Sequence, residues 1–276
     1  WIGRITTKGD KRNGIDGDFD AALDLAGANL PARKPTLGNT TVAGSVTGST
    51  WTVRGDGQAV NVKGDVDGWT LDVQATGEQK GALKSLNAGQ VGTASVTVAD
   101  ALGTAKAVCW EHGSLDVNEL KTLQMTGKRG TKGQPDTPGD FGAALTVCGA
   151  GLTDRQKALN NATIAGSVHD ETWRLGWHVG TLTVGSLVNA EVLVGCAAAT
   201  GDAGDFGDKK FTVGGVTLKG CEDKYFENST FAAYSIGSVR FTGKDAPASG
   251  TVQYGILKRP ITGFLSVGAG FQEQRV

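Results

Sequence analysis

The sequence predicts an all-β protein, a parallel β-helix (β-solenoid) of about ten coils with short loop insertions. Residues 17–73 align with residues 139–195 without a gap, at a constant offset of 122 positions (139 minus 17). A shorter unit of about 20 residues recurs inside each long repeat. The strands of this unit alternate apolar and polar residues with a period of two, and no helical period of 3.6 residues is sustained.

The chain is predicted to form a single domain over residues 1–276, with internal repeats at 2–119 and 120–235 and a partial third at 236–276. A unit of about 20 residues buries too little apolar surface to be stable alone, so each unit is expected to stack on its neighbours. Equivalent strands would then pair in parallel, about 4.8 Å apart. An antiparallel sandwich is the alternative, because short strands at regular spacing also describe that fold.

Each predicted coil opens with an aliphatic residue, continues as a Thr/Val-rich strand of five or six residues, and turns at glycine. Coils are predicted to start near Ile2, Leu37, Val60, Leu83, Leu102, Leu120, Leu159, Val179, Val213, Ile236 and Ile261. Longer loops interrupt them at residues 8–15, 128–138 and 197–210, each beside a Gly-Asp-Phe triplet, and a fourth is expected at 244–249. Insertions in such folds gather on one face, which often binds a ligand.

Five tryptophans divide into an inward set and an outward set. Trp51, Trp69 and Trp173 alternate in phase with valine and leucine of the same strand, so they are predicted to lie in the core. Trp110 and Trp177 are out of that phase and are predicted to be the exposed aromatic residues.

Composition excludes several classes of protein. The 27 basic and 28 acidic residues give a net charge of −1, which offers no attraction for nucleic acid or an anionic membrane. No apolar run is long enough to insert into a membrane as a helix. The 43 glycines follow no third-position pattern, which excludes collagen. The first residue is Trp and no signal segment opens the sequence, so a processed product or an excised piece is expected.

Several phrases resemble the Gly-rich repeat regions of large bacterial cell-surface proteins, notably the planctomycete type. They are LGNTTVAGSVTGSTWTV (37–53), GDFGAALTVCGAGL (139–152), FENSTFAAYSIGSVRFTG (226–243) and VQYGIL (252–257). The resemblance covers essentially the whole chain through degenerate, compositional motifs. It implies a parallel β-helix, an extracellular or cell-surface location, and a structural or adhesive role, and it brings no catalytic residues.

Aspartates beside the loops are the candidate metal ligands. They are Asp16, Asp18 and Asp20 in the first repeat, Asp136 and Asp140 in the second, and Asp202, Asp205 and Asp208 in a third cluster. Their hard oxygen atoms are the ligands that calcium prefers. Aspartate is also common where loops turn and its carboxylate bonds nearby backbone. The turn role is the favoured interpretation, and no other cofactor is predicted.

Other groups could carry catalysis, but no established pattern joins them. Glycoside hydrolysis needs two carboxylates across one bond, and Asp65 with Asp67, or Asp170 with Glu171, are the candidates. Cys109 precedes His112 by three residues and could form a Cys–His pair. Asp65, Asp67, Asp170 and Glu171 are all expected to be solvated turn residues. No enzyme activity is predicted.

The four cysteines, Cys109, Cys148, Cys196 and Cys221, allow three disulfide connectivities if all are paired, and unpaired thiols are the alternative. None belongs to a Cys-x-x-Cys motif that would indicate zinc.

The sequence therefore predicts a non-catalytic extracellular scaffold or adhesive repeat protein. It is expected to self-assemble through exposed strand edges at its ends, as a filament or surface layer, or to form part of a longer surface protein. A glycan or cell-surface molecule is the other expected partner. The alternative is a carbohydrate-binding or polysaccharide-degrading β-helix protein. Binding of ice or mineral by a flat threonine array is disfavoured, because Gln124, Met125 and Ala162 occupy positions that such an array would need.

Overall fold

A computed structural model shows a chain built almost entirely of β-strands, which hold 62% of the residues. It describes residues 1–275 except 11, 32, 132–134, 201, 207–209, 221–225, 243–247, 260 and 264–266. Within that part of the chain the single helical element is a 3₁₀ turn, Ala203–Phe206. None of the described residues forms a helix with the length and apolar character needed to span a membrane.

The strands belong to one sheet. From the N-terminus they are β1 (Ile2–Thr6), β2 (Leu23–Ala26), β3 (Leu37–Val42), β4 (Val46–Thr47), β5 (Thr50–Arg54), β6 (Gly57–Val62), β7 (Val66–Asp67), β8 (Trp69–Gln74), β9 (Leu83–Asn87), β10 (Gln90–Ala107), β11 (Cys109–Met125), β12 (Ala144–Val147), β13 (Leu159–His169), β14 (Thr172–Leu175), β15 (Val179–Val188), β16 (Glu191–Val194), β17 (Thr212–Leu218), β18 (Phe226–Ile236), β19 (Val239–Phe241), β20 (Ala248–Leu257), β21 (Thr262–Gly263) and β22 (Val267–Arg275).

Each strand pairs in parallel with a strand from the following turn of the chain. Leu37 in β3 lies opposite Gly57 in β6, and Trp51 in β5 lies opposite Leu71 in β8. Both pairs are separated by 20 residues (57 minus 37 and 71 minus 51), the length of the short repeat. The short sequence period therefore corresponds to one turn of the chain, whose strands pair in parallel with those of the next turn without crossover helices.

The expected open β-helix is wrong, because eight strands close on themselves as a parallel β-barrel core. The pairing runs β11–β12–β14–β16–β18–β17–β15–β13 and returns to β11. Strand β18 completes the ring. It pairs with β16 around Phe231 and with β17 at Ile236, so it joins the two sides of the sheet.

Long strands explain the closure. The sequence pattern predicted strands of five or six residues, whereas β11 and β18 of the ring have 17 and 11 residues, and β10, which pairs with β11 outside the ring, has 18. Each of these strands passes a corner without losing its pairing. A register shift between Val98 and Ala101 and a positive φ of 114° at Gly113 mark the bends. A bulge bends a strand while its pairing in the sheet continues. The strands were predicted too short because a glycine in the sequence can mark either such a bend or the end of a strand.

The inward tryptophans are confirmed as core residues. Trp51 and Trp173 are fully buried and Trp69 is 2% exposed. The prediction for Trp110 is wrong, because this side chain is also 2% exposed and packs against Phe141 at a ring-centroid distance of 5.7 Å. Its indole N–H donates to the carbonyl oxygen of a residue two positions later on β11, which satisfies the polar end of the buried ring.

Truncation of Trp173 to alanine is expected to lower the free energy of unfolding by about 3–5 kcal/mol, because the cavity left by a buried aromatic ring collapses only partly. Urea denaturation followed by circular dichroism measures the loss. Trp1→Ala is the control, since Trp1 is 58% exposed, and it should cost less than about 1 kcal/mol. Equal losses in the two variants would contradict the assignment of Trp173 to the core.

Candidate functional site

The Gly-Asp-Phe triplets of the two long repeats tie one turn of the chain to the next. Asp18 Oδ1 accepts the backbone N–H of Ser45, and Asp140 Oδ1 accepts the backbone N–H of Ser167, both at 2.6 Å. The glycine before each serine is required, because a Cβ there would collide with the aspartate oxygen. The Gly-Asp-Phe motif therefore hydrogen-bonds to the Ala-Gly-Ser-Val motif, and both long repeats keep both motifs.

The phenylalanine of each of these triplets contacts the core, where Phe141 is fully buried and Phe19 is half-buried. Phe19 contacts Trp51, and Phe141 contacts Trp173, each at a ring-centroid distance of 5.5 Å with the rings nearly perpendicular. Edge-to-face packing of this kind adds to the burial energy of the aromatic rings. The triplet thus has one polar and one apolar structural role.

The third Gly-Asp-Phe triplet, residues 204–206, has a different role. Phe206 packs on the outside of the sheet, against Leu193, Ala232 and Tyr234. Asp205 accepts hydrogen bonds from the backbone and the hydroxyl of Thr200, and from the buried amide of Gln253. The sequence suggested three equivalent triplets, but the third closes a loop over the outer face of the sheet.

The other predicted calcium ligands also bond backbone. Asp20 accepts from the N–H of Thr47, Asp136 from Gly130 and Asp202 from Gly204. Asp16 is exposed, and Asp208 lies outside the described residues. No three His, Cys, Asp or Glu side chains among the described residues are grouped to bind a metal ion. Asp136 and Asp202 bond nearby backbone, as a turn role requires. Asp18, Asp20 and Asp140 instead bond backbone 27 residues further along the chain, and so join successive turns.

Replacement of Asp140 by alanine is expected to lower the free energy of unfolding by about 1–2 kcal/mol, since it removes a charge-assisted hydrogen bond to backbone. Asp140→Asn should cost less than half as much, because the amide oxygen still accepts the N–H of Ser167. Chemical denaturation of the two variants tests this difference. If asparagine were as damaging as alanine, the charge and not the hydrogen bond would be the stabilising feature.

The carboxylate pairs considered for glycoside hydrolysis are held by local contacts. Asp65 Oδ1 accepts from the backbone N–H of Gln90 at 3.4 Å, and Asp170 Oδ1 accepts from the amide of Asn189 at 3.0 Å. Asp170 has a positive φ of 58°, as expected for a turn residue. Asp65 and Asp170 thus each contact a neighbouring turn of the chain.

Five ionisable side chains line one cleft of about 270 Å³, here called the His169 cleft. They are Cys109, Glu111, His112, Asp140 and His169. The sequence singled out the Cys109–His112 spacing, and named Asp140 only as a possible calcium ligand. It did not place either beside His169, which comes from a following turn. The alignment of the two long repeats is a signal for His169, because Thr47 occupies the equivalent position in the first copy.

Cys109 is a poor nucleophile in this cleft. Its side chain is 3% exposed, and burial, followed by the carboxylate of Glu111, raises the pKa of the thiol. The thiolate is the reactive form of cysteine, so a raised pKa opposes the Cys–His chemistry considered from the sequence.

The remaining described cysteines are also free. Cys148 is exposed, and Cys196 is half-buried, with a pKa raised to about 11 by burial and by the carboxylate of Asp205. Both line a second cleft of about 370 Å³. Cys221 lies outside the described residues.

His178 fastens the loop before β17 to a corner of the sheet. Its Nδ1 accepts the backbone N–H of Thr212 at 3.0 Å, and its ring lies 5.4 Å from that of Phe211. Trp177 completes the group at 4.6 Å from Phe211. Burial lowers the pKa of His178, and the accepted hydrogen bond likewise requires the neutral imidazole.

Acidification is therefore expected to destabilise this corner. The folded-state pKa of His178 lies below the unfolded value of about 6.5, so its contribution to stability is complete above that value. The contribution declines as the pH falls through the folded-state pKa. His178→Asn keeps an acceptor without titrating, and should flatten the fall in urea midpoint between about pH 7.5 and about pH 5. His112→Asn, at an exposed imidazole, is the control, and an equal flattening there would refute the assignment.

Two outer faces of the sheet carry regular polar ladders that the sequence did not reveal. The first, the amide–hydroxyl ladder, is Thr6, Thr41, Asn61, Asn87, Lys106, Gln124, Thr163, Thr183 and Thr217. The second, the Asp–Thr ladder, is Asp24, Thr52, Asp72, Thr97, Asp116 and Thr146. Met125 and Ala162, which counted against an array, are buried core residues one position out of register.

The chain matches no protein-family model, no curated protein and no solved structure.

Proposed function

We propose that this chain is a non-catalytic structural protein of the extracellular or cell-surface type, which extends by joining strand edges. The observation that carries the proposal is the pairing at the two ends of the sheet. In the described part of the chain, β1 pairs with β3 alone and β2 with β5 alone, and β21 and β22 each have one partner at the other end. Unpaired edges of parallel strands are templates for another chain.

A second copy is the partner that these edges fit best. The edge at one end and the edge at the other belong to the same parallel sheet, so copies can join head to tail in the direction of the existing hydrogen bonds. Such a contact is heterologous and does not close, and it therefore produces a filament. Adjoining segments of a longer surface protein would satisfy the same edges.

The positions of the aspartate, cysteine and tryptophan side chains that could carry catalysis or binding support a structural role. Asp18 and Asp140 bond backbone, Cys109 is a buried thiol, and four tryptophans, Trp51, Trp69, Trp110 and Trp173, lie in the core. The resemblance to Gly-rich repeat regions of bacterial surface proteins supports the proposed location.

A carbohydrate-binding role is the second candidate, and the Asp–Thr ladder favours it. Successive rungs are one strand apart, so carboxylates recur at every second strand, about 9.6 Å apart. Asp116, Ser114 and Thr97 make no side-chain hydrogen bond to another described residue, which leaves their oxygens available to the hydroxyl groups of an extended glycan. Beyond the last rung, Thr146, the next two strands place Arg174 and then Leu193 in register. Phe206 packs against Leu193.

Arg4→Pro is expected to prevent assembly, since proline in the edge strand β1 removes an N–H and blocks pairing. Arg4 is exposed, so the core is unaffected. Negative-stain imaging and sedimentation velocity should show filaments of the parent chain and separate particles of the variant. Arg4→Ala, which removes the same charge but keeps the N–H, should assemble like the parent.

The same measurement separates the alternatives. A parent chain that stays monomeric at every concentration, or an Arg4→Pro variant that still assembles, would contradict the structural proposal. A monomeric parent would then be tested against a glycan array, with Asp116→Asn as the variant. Repetition in EDTA tests calcium, because loss of filaments there would assign the loop aspartates to cation binding.

A further inference from the structure

The His169 cleft lies where the two long repeats meet, since Cys109, Glu111 and His112 come from the first repeat and Asp140 and His169 from the second. In the first repeat, Asp20 Oδ1 accepts the backbone N–H of Thr47 at 3.0 Å. The positions 122 residues later hold Gly142 and His169, and Gly48 is replaced by Asp170. The first repeat shows that the turn closes without an imidazole. The three replacements in the second repeat are therefore not a requirement of this turn.

These replacements fit one another. Nδ1 of His169 lies 3.3 Å from Asp170 Oδ2, which holds the ring on one side. On the other side the ring covers Gly142, where a Cβ would lie 2.7 Å from Cε1 and 3.1 Å from Nε2 of His169. A Cβ there would also collide with the carbonyl oxygen of Glu111 on β11. Glycine thus allows both the imidazole and the neighbouring strand to approach.

The cleft is rich in hydrogen-bond acceptors. We assign the proton of the neutral His169 ring to Nδ1, because Asp170 accepts it there, so Nε2 carries a lone pair. Asp140 uses Oδ1 for the N–H of Ser167 and retains Oδ2. Glu111 is exposed and adds two more acceptor oxygens.

The charge of the cleft is negative. The carboxylates of Glu111, Asp140 and Asp65 all act on the Cys109 thiol in the direction that raises its pKa. Lys128 and Arg129 line a neighbouring cleft, which shares Thr137 and Pro138 with this one. The ionisable groups that line the His169 cleft itself are two carboxyl groups, two imidazoles and one thiol.

We propose that the His169 cleft binds the primary ammonium group of an organic ligand. An ammonium carries N–H donors and a positive charge, which complement the carboxylates and imidazoles that line the cleft, Glu111, Asp140 and His169 among them. Charge-assisted hydrogen bonds of this kind are short and strong. An amino sugar, a lysine side chain and an aliphatic diamine share this chemistry. The proposal does not depend on whether the chain assembles.

Nuclear magnetic resonance of the full chain with ¹⁵N-labelled histidine tests the proposal. Glucosamine, Nα-acetyl-lysinamide and putrescine are titrated separately at constant ionic strength. Glucose, Nα-acetyl-norleucinamide and butane-1,4-diol are the matched ligands without an ammonium group. We expect saturable shifts of the His112 and His169 ring signals with the ammonium ligands, and no shift of His178, which lies outside the cleft. The ligand with the lowest dissociation constant identifies the source of the ammonium.

Three variants separate binding from folding. Glu111→Gln removes an exposed charge, and His169→Thr restores the residue of the first repeat. Each is expected to weaken ammonium binding by roughly two- to fivefold, the range of a single exposed charge or hydrogen-bond contact. Asp18→Asn changes the equivalent aspartate of the first repeat, which does not line the His169 cleft, and should leave binding unchanged.

Three results would overturn the proposal. They are the absence of saturable shifts with any ammonium ligand, equal shifts with the uncharged ligands, and an equal loss of binding in Asp18→Asn. Denaturation curves of the variants show whether a lost signal reflects unfolding. If His169→Thr unfolds, Glu111→Gln becomes the deciding variant, because Glu111 is exposed.

Discussion

The parallel hydrogen-bonding ladder is the constraint on which the rest of this protein depends. A single turn of about 20 residues cannot bury its apolar side chains, and becomes stable only when it pairs with the turns before and after it. The ladder also dictates what each position does, because residues in register on successive strands share a face of the sheet. Leu37 and its partners thus form the core, whereas Thr41 and its partners form a polar ladder outside.

Closure of the ring follows from strands that keep their pairing around a corner. Residues 114–117 of β11 pair with β12 and residues 120–125 with β13, so this strand pairs on both sides of a corner, and β18 in the same way joins β16 and β17. A closed arrangement satisfies backbone groups that an open edge would expose. In the described part of the chain, β1, β2, β21 and β22 pair on one side only, and the proposed assembly depends on these end strands.

Duplication gave the protein two copies of one structural contact and the freedom to change one of them. The bond from Asp18 to Ser45 and the bond from Asp140 to Ser167 are the same, so both copies close their turns in the same way. Around the second copy, Gly142, His169 and Asp170 replace the residues of the first and create an acceptor-rich cleft. A stable scaffold with a locally altered loop is a common way to add a binding site to a fold.

The sequence by itself determined the all-β class, the repeat periods and the inward side of the tryptophan-bearing strands, because alternation along one strand is a local property. It also suggested the turn role of the loop aspartates. Tertiary structure alone decided that the sheet closes, that Trp110 and Phe206 lie where they do, and that Cys109, Asp140 and His169 meet in one cleft. All of these features depend on the register between a strand and its partner in the next turn of the chain. A shift of register by one residue reverses the face of every side chain in a strand, and no local pattern in the sequence records that register.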